Sequence, residues 1–347
     1  MMPNSGKPEF GWGEGALVAC VHHEKLMRIL AAILLAFTVA PAAAQDAASF
    51  PSRPIRIVVP FPAGGPTDVN ARIIAQRMGE DFHQAVIVEN RPGGNTAIGA
   101  QAVAKAAPDG YTLLAAMDTT LVMNPATLPG PLGYDPFKDF ATITLTAKNT
   151  SLLTVRADGP VSVAELIARA KANPGKLNYG AGIITTRLAG YLFAREAGIA
   201  IQLVPYKGSA DVVAGLLTGS VDFIMDGVAA SLPLIQGGKL RALAKLNSRP
   251  LPVLPELQPL GVAAGLPALD DMSSWIGRVA PAGTPRPIID KLNREVATIY
   301  TDPAVADRLE KAGITAVTST PEEFDAFFRR EAARWTKVFK DSGIKLE

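Results

Sequence analysis

The chain has 347 residues, 34 Lys+Arg against 32 Asp+Glu, and 48% hydrophobic residues, which suits about two domains with ordinary buried cores. A formal net charge of +2 with no basic block leaves no electrostatic footprint for nucleic acid, and no nucleic-acid partner is expected. Cys20, His22 and His23 precede the first apolar run, so downstream only His83 remains; a His/Cys metal site, a cysteine nucleophile and a disulfide are all excluded there.

The chain opens on an export address. Lys25 and Arg28 precede the apolar run Ile29–Val39, and Pro41-Ala42-Ala43-Ala44 follows it. A positive start, a short apolar stretch and small residues at the cleavage point describe a secretory signal, with cleavage expected after Ala44. Eleven residues are too few to span a bilayer, which needs about 20. Residues 1–26 fit no part of a signal, which places the expected translation start at Met27. The mature protein, from residue 45, is expected in the periplasm.

Beyond residue 50, strands alternate with helices, which predicts an α/β fold with largely parallel sheets. Ile55–Val59 reads as a strand, and a helix beginning near Thr67 puts Val69, Ile73, Ile74 and Met78 on one face. Val86–Val88 reads as a second strand, followed by Asn90-Arg91-Pro92-Gly93-Gly94, an Ala-rich helix ending at Pro108-Asp109-Gly110, and a third strand, Tyr111–Met117. Ser162 with Glu165 predicts a capping box, Ser209 a helix start leading to a strand at Val221–Met225, Thr284-Pro285 a further helix start, and Thr320 with Glu323 a second box. In the last helix Phe324, Phe327, Phe328, Trp335 and Val338 share one side, a core stripe. The Pro-rich stretch 249–259 breaks the alternation and is expected to cross between two lobes: 45–148 plus 275–347, and 149–274.

In open α/β sheets ligands gather at the carboxyl ends of strands, which singles out four places. The first is the loop with Phe61, Ala63, Gly64, Gly65, Thr67 and Asp68, where two glycines before a helix let backbone N–H groups approach an anion. The alternative there is a tight turn capped by Thr67, with Asp68 either a first-turn carboxylate favoured by the helix dipole or a ligand contact. The second carries Gly180, Gly182, Thr185, Thr186 and Arg187, which suit an anion cradle; Arg187 is equally readable as a solvated charge. Gly180-x-Gly182-x-x-Thr185 also approaches a dinucleotide fingerprint, but the next strand ends at Tyr206-Lys207 with no acid, so at most NADP would fit. Asp118 and Thr119 form the third place and Asp226 the fourth; Asp118 suits either a turn cap or a contact to an amine on the ligand. No metal cluster or catalytic carboxylate pair stands out, and His83 reads as a surface residue.

With these residues in hand, the chain from Pro51 to Glu347 resembles the Bug-type (TctC-like) extracytoplasmic solute receptors of tripartite tricarboxylate transporters. The resemblance rests on Val59–Asp68, Glu89–Gly93, Ala107–Leu113, Val204–Gly208, Gly238–Ala244 and Ala280–Pro285 in that order. It implies a type 2 periplasmic-binding-protein fold of two α/β lobes joined by a hinge, closing on a small organic carboxylate gripped by the loops Phe61–Asp68 and Gly180–Thr186. It further implies a monomeric, non-enzymatic protein without cofactor that delivers its ligand to membrane transporter subunits. This chain departs from the family in its second loop, which is about two residues shorter and has Arg187 where His is usual. Arg187 then either supplies a bidentate contact or marks a different ligand. The readings set against it are an exported NADP-dependent oxidoreductase using the Gly180–Thr185 turn, with Tyr206 and Lys207 as acid–base groups, and a ligand sensor for a signalling partner.

Overall fold

The computed structural model describes Gly6 and residues 49–342, apart from 129, 270, 271 and 273. Cys20, His22, His23, the start at Met27 and the cleavage point after Ala44 lie outside the described residues. No helix among the described residues is long and apolar enough to cross a membrane.

Ile55–Val59 forms β1, a β-branched strand suited to a pleated surface and buried at four of its five residues. It is buried because parallel partners flank it, β2 (Val86–Asn90) and β3 (Thr112–Met117), reached through α1 (Pro66–Phe82) and α2 (Ala97–Ala104). A π-helical turn, Thr119–Met123, then runs into α3 (Asn124–Thr127) and on to β4 (Phe140–Asn149).

Only Thr150 separates β4 from β5 (Ser151–Arg156), which belongs to a second sheet. There follow α4 (Val163–Ala172), β6 (Leu177–Ala181), α5 (Ile184–Ala197), β7 (Ile201–Pro205) and α6 (Ser209–Leu217). The second sheet ends with β8 (Phe223–Gly227), α7 (Val228–Gln236), β9 (Leu240–Lys245) and α8 (Leu260–Ala264). The chain returns to the first sheet as β10 (Ser274–Pro281), followed by α9 (Arg286–Ile299), α10 (Pro303–Lys311), β11 (Ile314–Ala316) and α11 (Pro321–Ser342). The strand orders are β11-β4-β10-β3-β1-β2 and β7-β6-β8-β5-β9.

Both sheets are mixed, which corrects the expectation of largely parallel ones. β10 and β11 pair antiparallel, as does β5 with both its neighbours. A parallel neighbour needs a long crossover, and β5 and β10, which pass straight from one sheet to the other, have none. The Pro-rich stretch also differs from expectation: Leu251 and Leu254 pack on Leu152, Val228 and Leu232, so it lies against the second sheet, and the return crossing falls just before β10.

The helix starts show which cap signals the chain uses. Thr320 and Glu323 form a reciprocal box, each backbone N–H donating to the other's side chain. Ser162 accepts from the Glu165 N–H, but Glu165 reaches back to Val161 instead. Thr67, Ser209 and Thr284 cap nothing: Gly65, Gly208 and Pro285 precede those helices, and the Thr284 hydroxyl donates to the Pro281 carbonyl. Pro66 at the first helical position needs no N–H partner, so α1 starts one residue earlier than expected. Phe324, Phe328 and Trp335 are buried in the first core, with Phe327 and Val338 packed against it.

Candidate functional site

The β1–α1 loop is held rigid from beneath by Asp68. One carboxylate oxygen accepts the Gly64 N–H at 3.0 Å and Arg72 Nε at 2.9 Å, and the other accepts Asn90 Nδ2 at 2.9 Å. Asn90 also donates to the Phe61 carbonyl, tying both ends of the loop to one cluster. Burial by itself would raise the Asp68 carboxyl, but these hydrogen bonds outweigh it and hold it below its ordinary value. With both oxygens engaged, Asp68 braces the loop. Ala63 and Gly64 are exposed, and Gly64 takes a φ of +88°, a left-handed turn that suits glycine.

Across from it, the β6–α5 turn serves packing first and ligand second. A Cβ on Gly180 would lie 2.8 Å from Val212 and 3.1 Å from Ile224, so this glycine belongs to the core and not to a phosphate-binding turn. A Cβ on Gly182 would meet the Gly208 backbone at 3.0 Å. Thr186 caps α5: its hydroxyl accepts from the Ile183 N–H and donates to the Ile183 carbonyl. The Tyr179 hydroxyl donates to the Thr186 carbonyl at 2.5 Å and locks the first turn in place. The Thr185 hydroxyl points the other way and meets that of Thr119, 3.1 Å distant, from the first sheet's side.

Arg187, fourth residue of α5, sits where a cation is least welcome. A helix N-terminus carries partial positive charge, and this guanidinium is half-buried there with no carboxylate partner among the described residues. Its Nε is buried without a hydrogen-bond partner, and burial lowers its pKa. Its side chain lines a cavity of about 460 Å³ between the loops of the two sheets.

That cavity brings together Phe61, Thr119, Gly182 and Arg187 of the expected residues. Gly65 and Thr67 line a small adjoining recess of about 30 Å³ with Phe61, and Ser209 reaches it too. Asp118 and Asp226 lie behind these walls. Asp118 accepts the Thr119 N–H at 2.7 Å, and Asp226, which lies inside β8 and not after it, accepts the Ser209 hydroxyl at 3.0 Å. The second oxygen of each is buried without a hydrogen-bond partner among the described residues. Burial pushes both carboxyls up to about 7, against the pull of the bonds they accept. His83 is exposed at the end of α1.

The sequence reading missed the β2–α2 loop, which supplies Pro92 to Thr96 of the cavity wall. Its backbone takes positive φ at Gly93, Gly94, Asn95 and Thr96 in succession, unusual for a β-branched residue such as Thr96. Asn124 secures this strained turn by donating to the Asn95 carbonyl and to Thr96 Oγ1. The signal available was Gly93-Gly94 directly before a helix, the same signal read in the first loop. Tyr206 and Lys207 also line the cavity, Lys207 at its exposed rim, and no Asp or Glu lies in its wall. Among the described residues no cluster of three or more His, Cys, Asp or Glu is placed to hold a metal ion.

Comparisons with known proteins agree on one family. The family model described as "Tripartite tricarboxylate transporter family receptor" matches residues 70–344. The "UPF0065 protein in tcbD-tcbE intergenic region" of Pseudomonas sp. (strain P51) is 39% identical, covering 90% of this chain and 93% of the relative. A solved structure described as "R. palustris Rpa4515 with adipate" is 36% identical with a TM-score of 0.82, covering 85% of this chain and 99% of that one. The periplasmic binding protein BugD is 31% identical with a TM-score of 0.80, over 85% and 99%. The two-sheet α/β architecture is thus that of the periplasmic binding proteins, and the chain belongs to the tripartite tricarboxylate transporter receptor family, the TctC- and Bug-type solute receptors.

Proposed function

We propose that this protein is a periplasmic receptor that captures a small organic carboxylate between two lobes and passes it, as a monomer and without catalysis, to the membrane subunits of a tripartite transporter. The observation that carries this reading is Arg187, a half-buried cation at a helix N-terminus, without an anionic partner among the described residues and facing a cavity whose wall has no acid. A bound carboxylate offsets both the desolvation of the guanidinium and its clash with the helix dipole. The structure of R. palustris Rpa4515 with adipate supports the same ligand class.

The lobes in this reading are the two sheets with their helices, and the hinge is the pair of crossings at Asn149–Thr150 and before Ser274. Asn149 donates to the Ser274 hydroxyl and Asn247 to that of Thr150, so the two crossings are bonded to each other and to β9's end. Such short paired connections absorb the φ/ψ change of domain closure. The assignment to the periplasm rests on the family and on the expected signal, removed after Ala44.

The test is a thermal-shift and calorimetry screen of the mature protein, residues 45–347, against mono-, di- and tricarboxylates, with NADPH included. A carboxylate that raises Tm in wild type and loses its effect in Arg187→Gln is the expected result. A response to NADPH with no response to any acid would overturn the reading in favour of a nucleotide-binding protein.

A further inference from the structure

Resting on the carboxylate-receptor reading, we infer that ligand capture is coupled to proton uptake: Asp118 of the first lobe and Asp226 of the second take up protons as an anion enters and the lobes close. The inference comes from where these two side chains stand. Asp118 is 1% exposed and Asp226 4%, and each lies directly behind a contact between the lobes. The first contact is Thr119 against Thr185, hydroxyl to hydroxyl at 3.1 Å. The second is made by Ser209 and Gly227. A Cβ on Gly65 would lie 3.6 Å from Ser209 Oγ, and a Cβ on Gly227 would lie 3.1 Å from Pro66. Thr119 and Ser209, the partners of the two carboxyls, line the cavity and the recess beside it.

Two effects then act with the same sign. Parting the lobes at these contacts lets water reach both carboxyls, which then ionise in the ordinary carboxylate range. Closing them removes water from groups that each have one oxygen without a hydrogen-bond partner among the described residues. An unmatched buried charge costs more than an unmatched neutral acid, so closure favours the protonated form. A ligand carboxylate also brings negative charge into the space between them, and a like charge nearby favours the same form. Burial alone already raises both carboxyls to about 7, so the exchange of protons falls near neutral pH.

The surrounding charges do not reverse this. Against Asp118 pack β3 and α3, which carry no charge, and α11, whose Glu331 adds to the rise and is itself bonded to Arg334 and the Trp335 ring. α5 brings Arg187, which the bound carboxylate itself engages, and Arg195 and Glu196, which pair with each other. Beside Asp226 stands Tyr179 of β6, a hydroxyl held well above its ordinary value. Lys245 lies beyond Leu152 in the sheet, with no ion pair to Asp226 among the described residues, and Asp211 of α6 is exposed. α7 carries no charge, and Asp68 and Arg72 of α1 hold each other.

The experiment is calorimetry on the mature protein with malate, adipate, hexanoate and benzoate at about pH 7, in two buffers of different ionisation heat. The tightest of the four is then titrated from about pH 6.5 to 8, above the range in which its own carboxyls ionise. The expected result is net uptake of about one proton per ligand at pH 7, with affinity falling about tenfold across the range. Asp118→Asn and Asp226→Asn are each expected to lose about half of the uptake, and the double variant all of it. Equal heats in both buffers and a flat affinity in wild type would overturn the inference while the receptor reading stands. Uptake that persists undiminished in both single variants would overturn it too. If none of the four acids binds, the receptor reading fails and the inference falls with it. The wild-type heats need no variant, so misfolding cannot blur them.

Discussion

Thr119 and Thr185 meet hydroxyl to hydroxyl, 3.1 Å apart, where the π-helical turn after β3 abuts the first turn of α5. The contact joins residues from the two sheets' sides of the molecule, and it is fully buried. Directly behind it stands Asp118, whose free oxygen finds no hydrogen bond among the described residues. A polar pair and a carboxyl are therefore sealed together at the place where the two halves touch.

Because burial raises the Asp118 and Asp226 carboxyls to about 7, with the negative charge of Glu331 adding to the rise at Asp118, the folded state holds protons that the unfolded chain releases near its ordinary carboxylate value. Where the folded state binds more protons, stability falls as pH rises. These two groups therefore contribute stability below about pH 4 that is lost progressively up to about pH 7 and stays lost above it. The expected outcome is a denaturant midpoint that drops between pH 5 and pH 8, with a smaller drop in Asp118→Asn and Asp226→Asn. Chemical unfolding of the ligand-free protein across that range measures it; a midpoint that rises instead would show both carboxyls to be ionised in the fold.

Arg187→Gln separates binding from stability. A hydrogen bond to a charged group contributes about 1.5–3 kcal/mol, so carboxylate affinity is expected to fall roughly 10- to 150-fold. Unliganded stability is expected to hold or rise, since the change removes a half-buried charge from a helix N-terminus. Calorimetry and a ligand-free melt on the same variant check both halves.

Much of this was legible from local chemistry. The β-branched run of β1, the Phe/Trp stripe of α11 and the Thr320–Glu323 box each depend on neighbours a few residues away, and pattern reading finds them. Sheet polarity was not legible, because it depends on whether a strand arrives by crossover or directly from the other sheet, as β5 does. The candidate site divides the same way. Arg187 and Phe61 announce themselves by residue type, whereas Asp68 reads equally well as a ligand contact until the fold brings Gly64, Arg72 and Asn90 onto its oxygens. Gly93–Thr96 reach the cavity only because α2's start is folded back under Asn124, a long-range fact.

Asp68→Ala is expected to differ from Arg187→Gln in its effect on stability. It leaves the Gly64 N–H, the Arg72 guanidinium and the Asn90 amide without their shared acceptor, in a cluster where Asp68 itself is only 3% exposed. Losing a charged hydrogen-bond acceptor of this kind costs about 2 kcal/mol, so the ligand-free melting temperature falls by several degrees. Ligand affinity falls as well, through the loosened loop. Asp68→Asn, which keeps one acceptor oxygen, is expected to recover part of the stability.

Two glycine substitutions distinguish closure from folding. A Cβ on Gly208 would sit 3.0 Å from Pro62, in the contact between the loop before α6 and the loop before α1. A Cβ on Gly277 would sit 2.0 Å from the Phe324 ring, deep in the first core. Overpacking a core costs about 1–3 kcal/mol, so Gly277→Ala should lower the ligand-free melting temperature and leave the loops alone. Gly208→Ala has extended backbone and meets only Pro62, so its ligand-free melt should fall less than that of Gly277→Ala while ligand affinity drops, because the added methyl pushes the two loops apart. Small-angle scattering with and without a carboxylate that binds completes the test of the proposed closure: wild type is expected to compact on binding, and Gly208→Ala to compact less. An unchanged affinity in Gly208→Ala would mean that the Pro62–Gly208 contact plays no part in gripping the ligand.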